Sequence, residues 1–279
     1  MPLERGSGPG LNVCDMSATD ATPTSTLASV ALPSEHGGWS LTLEPALLGL
    51  LVAPTVAGIA LALAALVAFM LRTPLKLSLV DLHRGRRLPR SVLAQRVAAI
   101  EAVILVALLA VAATGDPRLW LPLLAALPLL GVELWYDVRS RSRSLIPELA
   151  GIIGAGAVAA AIALAGGEPW ATSLGLWVIV AARAVAAVPF VRLQVRRIKG
   201  QTYRLAGAIA AQPGAIMLAA AWLLVEPALL AGTIAIAMLA AFHIVALRMA
   251  PPRVAILGAQ QVALGLGVVL ATAFGVLAP

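Results

Sequence analysis

The sequence predicts an all-α polytopic membrane protein, and three observations lead there. Hydrophobic residues fill 61% of the 279 positions and charged residues only 12%, about half the charged share of a soluble domain. Apolar blocks of roughly 16 to 25 residues recur from Trp39 to Ala278, the length that crosses about 30 Å of hydrocarbon as helix. The blocks are rich in Ala, Leu, Val and Gly, and they lack the strict alternation of a membrane β-strand. Closely packed helices are therefore expected rather than a barrel.

Taken in order, the blocks predict about nine spans in a single domain over residues 33–279, preceded by a tail. Residues 1–32 are rich in Ser, Thr, Gly, Asp and Pro, a composition that buries too little apolar surface to fold. Met16 offers a second possible start within it. The first span covers Trp39–Ala53, and Pro54 breaks it into a tight turn before the second, Val56–Leu71. The polar stretch "RTPLKLSLVDLHRGRRLPRS" leads to the third, Val92–Thr114, and the fourth covers Leu119–Trp135. After "YDVRSRSRS" come Leu145–Ala165 and Trp170–Val191, then "RLQVRRIKGQTYR". The last three are Leu205–Val225, where Pro213 should introduce a kink, Pro227–Leu247 and Val254–Leu277.

Charge sets the expected orientation. With nine spans, the N-terminal tail and the connections after spans two, four, six and eight share one side. Of the 20 Lys and Arg residues, all but Arg118 and Arg183 fall on that side. The positive-inside rule then makes it cytoplasmic, with the N-terminus inside and the C-terminus outside. This distribution explains the net charge of +7 without nucleic acid. The partner expected is the lipid bilayer, with oligomeric state left open. A lone Cys14 excludes an internal disulfide and a thiolate metal cluster.

Ionisable groups inside spans are costly and mark a site or a pairing. Glu133 and Asp137, four residues apart, share a helix face and would repel unless a cation, a proton or an arginine lies between them. Arg183 lies nine residues before Arg192, roughly 13 Å deeper along its helix, and Glu133, Glu101 and Glu44 are its candidate partners. Arg192, Arg196 and Lys199 recur at helical spacing. With Arg72, Lys76 and Arg183 they form the candidate substrate-binding set for a phosphate-bearing ligand. Asp81 is the one carboxylate in the stretch after span two, and the stretch after span six has none. His243, Gln212, Gln260 and Gln261 place further polar groups in the last three spans.

The entrance "PSEHGGWS" puts Glu35 and His36 directly before the first span. They read as an acid/base pair, as part of a metal site, or as a helix cap with Trp39 at the headgroup interface. Two adjacent ligands make no firm metal site, and no metal-binding residue is assigned.

"PSEHGGW" opening span one, "RTPLKL" after span two and "RLQVRRIKG" after span six resemble the YwiC-like family of bacterial membrane proteins. That resemblance covers nearly everything from Pro33 onward and implies the bacterial inner, or plasma, membrane. It brings no established activity. The nine spans with long connections after the second and sixth, and "WYDVRSRSRSLIPELAG" after the fourth, are more distantly similar to UbiA-type intramembrane prenyltransferases. The likeness implies a UbiA-like bundle and an isoprenoid diphosphate held by magnesium on Asp-rich motifs. Those motifs are missing here. Magnesium, which prefers oxygen ligands, would have to arrive with a diphosphate substrate.

These readings converge on a membrane protein with a cytoplasm-facing polar cavity that binds or transfers an isoprenoid diphosphate or another anionic lipid-like molecule. Glu35, His36, Asp81, Glu133 and Asp137 are its candidate catalytic residues. Two other classes fit the sequence: a proton-coupled transporter or exporter, and a non-catalytic assembly factor for a respiratory or cofactor pathway. No inverted repeat is visible to support transport.

Overall fold

The computed structural model describes residues 38–83, 85, 89–139 and 144–278, with side chains from residue 42 onward. Glu35, His36 and the tail lie outside the described residues. Within them every regular element is helical. The α-helices are α1 (Gly38–Val52), α2 (Val56–His83), α3 (Pro89–Ala112), α4 (Trp120–Val138), α5 (Leu145–Ala165), α6 (Trp170–Ile198), α7 (Leu205–Leu223), α8 (Leu230–Leu247) and α9 (Val254–Leu277). Eight helical segments are long and apolar enough to cross a membrane, and α1 contributes a shorter apolar stretch, Thr42–Val52.

Two helices run further than the apolar blocks do. α2 continues twelve residues past Leu71, so Arg72, Lys76 and Asp81 stand on a helix rather than in a loop. Leu, Lys, Ser and Val follow Pro74 without another breaker, and Asp81 is buried on the continuation. The helix stops at Gly85, whose φ of +64° is the left-handed conformation that favours glycine. α6 likewise extends to Ile198, and Gly200 at φ +63° ends it. Its amide donates to the Arg197 carbonyl. α7 runs through Pro213 as one helix.

α5 and α6 form the centre. The run from Ala159 to Leu164 on α5 is fully buried, because its small residues let neighbours approach from several sides. α5 packs on α1, α2, α4 and α6, while α6 packs on α5, α7, α8 and α9. α1 wedges between α5 and α9 and sends Leu48 and Val52 into the larger apolar core.

The order of elements also shows a repeat. α2–α5 and α6–α9 each begin with a long helix, of 28 and 29 residues, that contains a proline. In each unit a 3-10 turn precedes the third helix. Asp116 accepts from the Arg118 amide at the first turn, and Glu226 from the Ala228 amide at the second. Proline follows each capping acid. The first helix packs on the second and fourth in both units, and the third on the fourth. Each unit has an even number of helices, so the two repeat in the same direction and are not inverted.

Candidate functional site

The charged side chains gather at the helix ends that carry the basic connections. One group joins α2 to α4. Arg72 Nη1 meets Glu133 Oε1 at 2.9 Å, and its Nε donates to Asp137 Oδ2 at 3.0 Å. Lys76 Nζ meets Asp137 Oδ1 at 3.2 Å. An arginine thus stands between the two carboxylates, one of the arrangements their spacing on one face allowed. The arrangement is layered: Asp137 is 1% exposed and Glu133 17%, whereas Arg72 and Lys76 are 32% and 31% exposed. Gly151 of α5 makes room behind this group, since a Cβ there would overlap the Glu133 carboxylate. Arg141 lies outside the described residues. Just past the end of α4, Arg139 lies 3.3 Å over the Trp135 ring, a cation–π contact.

The other predicted residues have different partners. Asp81 accepts from the Ser91 hydroxyl at 2.5 Å and from Arg90 at 3.4 Å, tying the end of α2 to the start of α3. Arg192 meets Glu148 across α6 and α5 at 2.5 Å, a partner that the sequence did not single out for it. Arg197 donates to Gln194 and to the Met249 carbonyl. Arg196 and Lys199 are exposed on and just after the last turn of α6. The candidate set thus separates into an α2–α4 group and an α5–α6 group.

Arg183 lies deeper, 4% exposed, and donates to Glu44 of α1 at 2.7 Å and to the Gln261 carbonyl of α9 at 3.0 Å. Of its three candidate partners it takes Glu44. Glu101 is buried on α3, and its Oε2 has no hydrogen-bond partner among the described residues. Gly265 faces the Glu44–Arg183 pair so closely that a Cβ would overlap both side chains. From here a polar network continues. The Gln261 amide lies 3.2 Å from His243 Nε2, His243 Nδ1 lies 3.2 Å from Gln212 Oε1, and Phe190 stacks on the His243 ring at 4.0 Å. His243 is hydrogen-bonded and fully buried.

At the opposite ends the polar residues serve turns. Thr172 donates to Glu226 at 2.6 Å. Arg118 donates from its side chain and its amide to Asp116 and holds that carboxyl below its ordinary range.

Among the described residues no three His, Cys, Asp or Glu side chains gather so that they could hold a metal ion. Asp81, Glu133 and Asp137 face Arg, Lys and Ser donors instead. That donor set does not fit magnesium, which needs carboxylate or phosphate oxygens free to coordinate it.

No curated protein and no solved structure matches the chain. A family model described as YwiC-like protein does match, over residues 32–163, from just before "PSEHGGW" into α5. Through that stretch the chain is similar to the YwiC-like family.

Proposed function

We propose that this integral membrane protein binds the phosphate or diphosphate head of an isoprenoid or similar lipid-like molecule at the cytoplasmic ends of α2 and α4. The observation that carries the reading is the layering of the α2–α4 group. Buried Asp137 holds Arg72 and Lys76 in place from behind, while both cations stay about a third exposed. A cation oriented by a buried carboxylate loses less freedom when it takes a second anion. An incoming phosphate competes with Glu133 for Arg72 Nη1 and leaves the Nε–Asp137 bond in place. Arginine's planar fork suits that exchange. Arg192, paired with the half-exposed Glu148, together with Arg196 and Lys199, extends the basic rim. Glu35 and His36 enter this reading as the acid/base pair of a transfer step. The charge distribution supports a cytoplasmic site, with the N-terminus inside and the C-terminus outside.

Thermal unfolding of the purified protein in detergent, with added pyrophosphate or geranylgeranyl diphosphate, tests the reading. A saturable rise in Tm, weaker at high salt and lost in the Arg72→Gln/Lys76→Gln variant, is expected. No rise with either ligand overturns it.

A further inference from the structure

The buried network of α6–α9 has a property that its own side chains do not satisfy. Gln212 Nε2 donates to two main-chain carbonyls, Ala186 at 3.0 Å and Ala208 at 2.9 Å. These bonds fix the amide, so its Oε1 must be the atom facing His243 Nδ1, and Nδ1 must carry the ring proton. The lone pair then lies on Nε2, which accepts from Gln261 Nε2. Gln261 is oriented in turn, and its Oε1 is directed away from His243. That oxygen is buried and has no hydrogen-bond partner among the described residues, and neither has Arg183 Nε. The two residues already meet, because Arg183 Nη2 donates to the main-chain carbonyl of Gln261.

A donor and an acceptor left open inside a hydrophobic bundle each carry an uncompensated desolvation cost, and buried polar groups of native proteins are nearly always paired. The occupant must accept from Arg183 Nε–H and donate to Gln261 Oε1. Charge narrows it further. The Glu44 carboxylate opposes an anion, the Arg183 guanidinium opposes a cation, and His243, Gln212 and Phe190 add no charge. An uncharged hydroxyl meets all of these conditions.

We infer that Arg183 Nε and Gln261 Oε1 form a second polar site, between α6 and α9, that takes a hydroxyl oxygen. The oxygen belongs either to a buried water or to the alcohol head of a lipid-soluble molecule such as an isoprenoid alcohol. This site is independent of the α2–α4 group, and its ligand is neutral where that group's is anionic.

A density map of the full chain in lipid nanodiscs, at a resolution that shows ordered water, tests it. One map is taken as purified and one with geranylgeraniol added. An oxygen within about 3.2 Å of both atoms is expected. If the same lone peak stands in both maps, the occupant is water. If it is replaced by elongated density with geranylgeraniol, the site takes the alcohol, and the alcohol then raises the Tm of the wild type but not of Gln261→Met. A map in which neither atom has an oxygen partner, or in which both bond to protein groups, overturns the inference.

Discussion

Glu44 and Arg183 stand 139 residues apart in the chain and meet at 2.7 Å between α1 and α6. Both are nearly fully buried, so each is tolerable mainly because the other is there. Removing one partner of such a pair costs about 3–5 kcal/mol, whereas replacing both with apolar residues of similar volume is often neutral. Arg183→Met and Glu44→Leu should therefore each destabilise strongly, and the double variant should recover most of the loss. A double-mutant cycle of unfolding in detergent reads this. A double variant as unstable as the sum of the singles would mean that the two side chains are held for separate reasons.

Glycine positions give a sharper test of the same packing. Gly265→Ala puts a methyl where Arg183 and Glu44 already sit, and Gly151→Ala puts one on the Glu133 carboxylate. Overpacking of this kind costs about 1–3 kcal/mol. Gly258, on the same helix as Gly265, has nothing within 4 Å of an added Cβ, so Gly258→Ala should be neutral or slightly stabilising. Tm values for the three variants decide it. Equal effects at Gly258 and Gly265 would contradict the close approach.

Asp137 has two cations and 1% exposure, which predicts redundancy. Lys76→Gln leaves the Arg72 bond in place and should cost little. Arg72→Gln also removes the Arg72–Glu133 ion pair and should cost more. Together they leave a buried carboxylate without either cation, and the loss should exceed the sum of the singles by about 0.5–3 kcal/mol. Asp137→Asn in the double-variant background should restore stability, because it removes the stranded charge. Unfolding midpoints of the four variants measure each step.

Much of this was legible in the sequence because it rests on length and spacing. The apolar blocks marked the helices, and the spacing of Glu133 and Asp137 called for a cation or a proton between them. Helix extent was less legible: composition alone does not separate a polar helix from a loop, and Arg72 to His83 is polar only because it leaves the hydrocarbon. Pairing across 139 residues depends on which helices touch. Three carboxylates therefore stood equal for Arg183 until α1 was seen against α6 and α9. The parallel repeat was hidden for a different reason. It lives in helix order and in two acid–proline turns, which neither block length nor charge spacing reveals. Gln212 and Gln261 were visible as polar residues in apolar helices, but only the carbonyls of Ala186 and Ala208 show which way each amide faces.

Orientation in the membrane follows from charge and can be read directly. The basic connections α2–α3, α4–α5, α6–α7 and α8–α9 should face the cytoplasm. The short turns α3–α4, α5–α6 and α7–α8 should face outward. Arg204 and Met249 are exposed next to basic connections, and Thr114 and Leu224 are exposed next to short turns. With Cys14 replaced by serine, single cysteines at these four positions give the answer. A membrane-impermeant maleimide should label the Thr114→Cys and Leu224→Cys variants in right-side-out vesicles. It should reach Arg204→Cys and Met249→Cys only after permeabilisation. The reverse pattern would turn the bundle over and place the Arg72–Asp137 group on the outer face, where a cytoplasmic diphosphate could not reach it. Labelling of adjacent connections from the same side would instead break the assignment of the intervening helix as a span.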